Sequence, residues 1–130
     1  MDTKHLKVLG LGDPEIMGDA TLVRTFMEKL IKEVGMRPLG EPTVHDVPLD
    51  LEKLGVAPFE DEGGVTTQIV GYHTLSTSHA AIHTWPLRKE FHLDLYSCRN
   101  FDAKQVEEFI KNYFKCTKTK ISNLTYATEW

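Results

Sequence analysis

The spacing of apolar positions changes several times along the chain, and each change marks an element. His5 to Leu11 (HLKVLGL) is a short apolar run closed by Gly12-Asp13-Pro14, which predicts a first strand and a turn. From Asp19 the period lengthens. Leu22, Val23, Phe26, Met27, Leu30, Ile31 and Val34 recur three and four apart, the stripe of an amphipathic helix. Asp19 or Thr21 caps its start, and Gly35 takes the left-handed conformation that ends it. Between Met36 and Gly64, Pro38, Pro42, Pro48 and Pro58 predict mostly loop, with one short strand near Thr43 to Val47. Glu60-Asp61-Glu62-Gly63-Gly64 reads as a solvated acidic hairpin tip rather than a cation site.

Val65 to Ser76 is rich in β-branched and aromatic residues and predicts a long strand. Ala80 to Trp85 and Glu90 to Cys98 predict two more, joined by Pro86-Leu87-Arg88-Lys89. In the last of these Phe91, Leu93 and Leu95 alternate with His92, Asp94, Tyr96 and Cys98, the period of an antiparallel strand with one face against helices. A second amphipathic helix, Ala103 to Phe114, turns Val106, Phe109, Ile110, Tyr113 and Phe114 inward. Asp102 is its N-cap, and Gln105 is spaced to complete a capping box. Lys118 to Tyr126 supplies a final strand. The order β-α-(β)-β-β-β-α-β predicts an α+β fold: a two-layer sandwich of a mainly antiparallel sheet with two helices on one face.

Composition narrows the function classes. A chain of 130 residues with 41% hydrophobic and 26% charged side chains is expected to fold as a single domain over 1–130. A net charge of −4 lacks the electrostatic footprint of a nucleic-acid binder. No apolar run approaches the roughly 18 to 20 residues of a membrane span, and Met1-Asp2-Thr3-Lys4-His5 is not followed by a secretory apolar region. A soluble, cytoplasmic protein is expected, with Cys98 and Cys116 as reduced thiols.

Reactive side chains concentrate in Ser76-Thr77-Ser78-His79-Ala80-Ala81-Ile82-His83-Thr84-Trp85-Pro86, with Cys98 following. A zinc site from His79 and His83 with His73 or Cys98 conflicts with strand geometry, because i,i+4 on a strand separates the imidazoles by roughly 13 Å. A serine-hydrolase reading lacks the strand-to-helix elbow and its Gly-x-Ser-x-Gly. Gly10-Leu11-Gly12 lacks the third glycine of a dinucleotide loop. On spacing alone, these are sheet residues with local hydrogen bonds.

The letters say more. Thr77-Ser78-His79-Ala80-Ala81-Ile82-His83-Thr84-Trp85-Pro86, then Leu93-Asp94-Leu95-Tyr96-Ser97-Cys98, resembles the bacterial and archaeal S-adenosylmethionine decarboxylases. Their pattern is approximately Glu-Ser-His-x-x-Ile-His-Thr-Trp-Pro-Glu, then Asp-hydrophobic-Phe-Thr-Cys. The resemblance implies a proenzyme that cuts itself between Thr77 and Ser78, leaving a β chain (1–77) and an α chain (78–130). It implies a pyruvoyl group derived from Ser78 as the electron sink, with no metal and no external cofactor. His83 would act as the base near the Ser78 α-proton during processing, and Cys98 as the acid that reprotonates the substrate carbon. Trp85, alternating with His83, would wall the substrate pocket. The family's short members also imply a homodimer or higher homo-oligomer acting on a small molecule in polyamine synthesis.

Three positions depart from the pattern. Thr77 stands where most relatives have Glu. Val70 stands where relatives have a serine that assists cleavage, so Thr66, Thr67 or His73 would have to substitute. Leu87, followed by Arg88 and Lys89, stands where relatives have the Glu that holds the substrate ribose. An ornithine or arginine decarboxylase on this fold therefore stays open, as does an uncleaved pseudoenzyme with a binding or regulatory role. Residues 1–77 hold 7 basic and 13 acidic side chains and 78–130 hold 8 and 6, so the two segments are of opposite sign.

Overall fold

The computed structural model describes residues 2–50 and 65–129; the acidic segment Glu60 to Gly64 lies outside them. The elements are β1 (Asp2–Leu11), α1 (Pro14–Met17), α2 (Ala20–Glu33), β2 (Thr43–Asp50), β3 (Val65–Thr74), β4 (Ser78–Trp85), a 3₁₀ turn (Pro86–Arg88), β5 (Glu90–Ser97), α3 (Ala103–Phe114) and β6 (Lys118–Ala127). The six strands form one sheet in the order β2-β3-β4-β5-β1-β6, and every neighbouring pair is antiparallel. This is the α+β sandwich that the periodicity predicts.

Local chemistry explains where the elements begin and end. The turn expected at Gly12-Asp13-Pro14 is the entry to α1, with the Asp13 carboxylate accepting from the Glu15 N–H at 2.9 Å and Pro14 in the first turn. One turn of helix is too short to leave a periodic signal. Asp19, not Thr21, caps α2: its carboxylate accepts from the Thr21 and Leu22 N–H groups at 2.9 and 3.1 Å. Gly35 sits at φ +67° just beyond, and the Met36 N–H closes back on the Ile31 carbonyl at 3.0 Å. Asp102 caps α3, but Gln105 does not complete the expected box. Its amide reaches across to the Glu33 carbonyl and carboxylate at 3.2 Å, tying α3 to the end of α2.

Strand limits shift for similar reasons. β2 runs three residues beyond the expected Val47 because Pro48 sits on an edge strand, where a missing N–H is tolerated. β4 begins at Ser78 rather than Ala80, and β3 stops at Thr74.

The helices cover one face only. Leu6, Val8, Ile69, Ala80, Ile82, Phe91, Leu93 and Leu95 point toward them and are buried, together with Val23, Phe26, Met27, Leu30 and Ile31 of α2 and Val106, Ile110 and Phe114 of α3. Each large apolar side chain buried this way stabilises the fold by roughly 1.5–3 kcal/mol. Phe26 is the hub, with ring centroids 4.6 Å from Phe114, 5.2 Å from Tyr113 and 5.8 Å from Phe109. Gly71 lets α2 approach β3, since a Cβ there would lie 2.6 Å from the Met27 sulfur. The Thr84 hydroxyl donates to the Met17 carbonyl at 2.9 Å and so fastens α1 to β4. The opposite face, carrying His5, Tyr72, His79, His83, His92, Asp94 and Tyr96, has no helix over it among the described residues.

Candidate active site

Ser78 opens β4 with its side chain among the core-facing residues, only 8% exposed. Its hydroxyl donates to the Ser97 hydroxyl at 2.9 Å, and Ser97 in turn accepts from the Arg99 N–H at 2.9 Å. Ser78 and Ser97 are register partners, so the β4–β5 pairing itself places the two hydroxyls together. The peptides on either side of Ser78 are held by the two flanking chain segments. The Thr77 carbonyl accepts from the Cys98 backbone N–H at 3.3 Å, and the Leu75 N–H reaches the Ser78 carbonyl at 3.0 Å.

His83 and Trp85 lie on the open face, because alternation from a buried Ser78 turns every odd residue of β4 outward. The exposed His83 ring stacks against Trp85 at 6.1 Å and 19°, and Trp85 meets the edge of His92 at 4.7 Å. His83 Nδ1 lies 2.7 Å from the Gln68 side-chain nitrogen, and His92 Nε2 lies 3.0 Å from the Glu90 carboxylate. The structure therefore does not bring Ser78 and His83 together within one chain. Five residues of extended strand separate them by about 16 Å, with the side chains on opposite faces.

Cys98 is half-buried just past the end of β5, its sulfur 3.5 Å from the Tyr96 hydroxyl. The hydrogen bond to Cys98, followed by the charge that thiol can carry, raises the Tyr96 hydroxyl above the ordinary phenol range. Tyr96 belongs to a ladder of rings across four strands. His79 stacks on it at 5.2 Å, Tyr72 stacks on His79 at 6.0 Å, and His5 meets Tyr96 edge-on at 6.4 Å. Asp94 approaches His5 at 3.4 Å without hydrogen-bond alignment. No group of three His, Cys, Asp or Glu side chains placed to hold a metal occurs among the described residues.

The family model described as S-adenosylmethionine decarboxylase matches residues 8–125, nearly the whole chain. The chain belongs to the S-adenosylmethionine decarboxylase family. It is 26% identical over 133 residues to the S-adenosylmethionine decarboxylase proenzyme of Pyrococcus horikoshii, covering 99% of this chain and 83% of that protein. The crystal structure of the adenosylmethionine decarboxylase from Aquifex aeolicus superposes with a TM-score of 0.67 at 16% identity, over 95% of this chain and 88% of that one, which is a likeness of fold.

The departures from the decarboxylase pattern now have places. Val70 is the register partner of His83, so an apolar side chain lies beside the imidazole where the pattern has the assisting serine. Of the substitutes considered, His73 points into the helix layer, 2% exposed, with Nε2 3.0 Å from the Gly40 carbonyl. Thr67 alternates onto that same layer, and the Thr66 side chain lies outside the described ones. Neither His73 nor Thr67 faces His83. Leu87 sits exposed in the 3₁₀ turn after Trp85 and offers no carboxylate. The turn closes at Lys89 in the left-handed conformation, φ 57°.

Three residues at the site were given no role by the sequence: Gln68, which lies outside the motif, and Tyr96 and Ser97, which lie within it. Gln68 meets His83, and Ser97 meets Ser78, only through strand pairing. Tyr96 was on the correct face by alternation, and its contact with Cys98 follows from the i,i+2 spacing once the strand is accepted.

Proposed function

We propose that the chain is an S-adenosylmethionine decarboxylase proenzyme of polyamine synthesis that cuts itself between Thr77 and Ser78. The observation that carries this reading is the hydrogen bond on the Thr77 carbonyl. When the Ser78 hydroxyl oxygen attacks the Thr77 carbonyl carbon, negative charge develops on the Thr77 oxygen, where the Cys98 N–H already points. The C–N bond then breaks and the Ser78 nitrogen takes a proton, leaving an ester. Removal of the Ser78 α-proton expels the Thr77 carboxylate, and water releases ammonia to leave a pyruvoyl terminus on residues 78–130. Ser97 holds the Ser78 hydroxyl oriented until the attack. The pyruvoyl group supplies a carbonyl electron sink for the loss of CO₂ from an α-amino acid, with no metal involved. Cys98 is the proton donor to the substrate carbon, with the Tyr96 hydroxyl beside it. Trp85 walls the pocket on the open face.

The base for α-proton removal is His83 of the partner subunit in a homodimer or higher homo-oligomer, since this chain's own His83 lies five residues along β4, about 16 Å away. A second copy seated on the uncovered face supplies it. No helix of the described residues is long and apolar enough to cross a membrane.

Intact mass of the purified protein tests the reading. Two fragments, of 77 and 53 residues, are expected, the second with a blocked amino terminus; one full-length mass that persists on long incubation overturns self-cleavage. Mixing Ser78→Ala and His83→Ala chains tests the shared site. Only the His83→Ala chain should be cut, using the imidazole of its partner. Release of CO₂ from S-adenosylmethionine, ornithine and arginine then ranks the substrates. Val70 beside His83 and the exposed Leu87 favour a second reading, an uncleaved relative that binds without decarboxylating. A persistent full-length mass supports it.

A further inference from the structure

We infer that Gln68 is the positioning residue of His83 and decides which of its two ring nitrogens carries the proton. The inference rests on the processing role of His83 proposed above. Gln68 projects from β3 onto the open face yet is 9% exposed, so its amide has little water to turn to. Its nitrogen lies 2.7 Å from His83 Nδ1, shorter than most bonds of this kind. The ring is also held from a second direction by the stack on Trp85. Nδ1 is thereby engaged, which leaves Nε2 as the nitrogen that meets a reacting group.

The consequence is a constraint on the chemistry. With the amide nitrogen toward Nδ1, that atom must accept, and the neutral ring carries its proton on Nε2. In that tautomer Nε2 donates a hydrogen bond but takes no proton. Turning the amide about its last torsion presents the oxygen instead. Nδ1 then keeps the proton, donates it in a hydrogen bond to Gln68, and leaves the Nε2 lone pair free to accept the Ser78 α-proton. The product imidazolium keeps the same Nδ1–H bond to the amide oxygen, now charge-assisted. Gln68 thus serves both states without moving its backbone, an option that Val70, the register partner of His83, lacks. The other titratable or charged groups on the strands beside the ring are His92, the register partner on β5, Glu90, which holds His92, and His45, which pairs with Val70 from β2.

Nitrogen-15 NMR of the imidazoles in full-length Ser78→Ala chain, which stays intact whatever the processing competence, reads the tautomer directly. The expected pattern is Nε2–H for His83 with Gln68 in place, Nδ1–H in Gln68→Glu, where only an acceptor is offered, and a mixture within a few-fold of the free imidazole in Gln68→Met. With Ser78 restored, Gln68→Met should slow cleavage roughly tenfold, because it loses the amide oxygen that stabilises the imidazolium even though part of its rings already carry the proton on Nδ1, and Gln68→Glu should restore or exceed the parent rate. Thermal melts of both variants show that the sheet is kept. The same His83 pattern in all three chains overturns the inference, as does parental cleavage in Gln68→Met. If none of the chains cuts, the processing reading fails, and the tautomer spectra alone still decide whether Gln68 sets the ring.

Discussion

The two faces of the sheet are built from the same strands and have almost nothing else in common. The helix-facing side is largely apolar and closed: Phe26, Phe91, Phe114, Leu6 and Leu95 are fully buried, and of the polar groups it admits Ser78, Thr84 and Ser97 are hydrogen-bonded while His73 is held through Nε2 alone. The open side holds four imidazoles, two phenols, an indole and a thiol in stacked or hydrogen-bonded contact. Alternation along a strand makes this division inexpensive, because neighbouring residues serve packing and chemistry without competing for space. Ser78 breaks the rule. The residue proposed to react sits with the core layer, while its proposed acid and base sit on the other side.

Changes on the open side should alter chemistry and leave stability alone, and changes on the closed side should do the reverse. The largest effect is expected for Cys98→Ala, which should still be processed yet lose 10²- to 10⁴-fold in CO₂ release per cut chain, with an unfolding midpoint close to the parent. Undiminished turnover would refute the acid role. Next comes Phe26→Ala, expected to cost about 3–5 kcal/mol in urea unfolding through the cavity it leaves among Phe109, Tyr113 and Phe114. A loss below about 1 kcal/mol would show that this layer is looser than its burial implies. Ser97→Ala tests the exception, since it removes the partner of the Ser78 hydroxyl and of the Arg99 N–H. It should cost about 1–2 kcal/mol of stability and also slow self-cleavage, whereas an effect on only one of the two would return Ser97 to a single face.

The smallest effect concerns pH. Burial pushes the Cys116 thiol up to about 11, with the Lys111 ammonium partly offsetting it. The unfolded chain releases that proton at lower pH than the folded one, so the contribution is complete below the ordinary thiol range and fades as pH climbs from there toward 11. Cys116→Ala should flatten that part of the alkaline stability curve. An unchanged slope would mean that other groups carry it, the half-buried Tyr113 among them, whose hydroxyl burial and then Asp19 also raise.

Periodicity carried most of the architecture. The stripes of α2 and α3 and the alternation of β5 are long enough to show through, and the Asp19 and Asp102 caps follow from chemistry within three residues. Where the reading slipped, the deciding interaction was either very local or very distant. α1 is a single turn made by one aspartate and one proline, and Gln105 left its expected box for a residue 72 positions away. Leu22 and Val34, read as part of the buried stripe, lie at its margins: Leu22 is 38% exposed. At the site, Ser78, His83, Trp85 and Cys98 could be named from their motif, but not that the first faces away from the second. That fact needs β4 to begin at Ser78 rather than at Ala80, and the contact between Gln68 and His83 needs the pairing of β3 with β4 as well.

The strand order holds a consequence for what a cut at Thr77 would do to the molecule. Residues up to 77 supply β1, β2 and β3, and the remainder supply β4, β5 and β6, yet β1 is threaded between β5 and β6. The two products would be interlocked like the fingers of two hands. They could part only by tearing β3 from β4 and pulling β1 out of both its ladders, which amounts to unfolding the sheet. Backbone scission would loosen a hairpin end without releasing a subunit, and the new terminus would stay anchored beside Ser97 and Cys98.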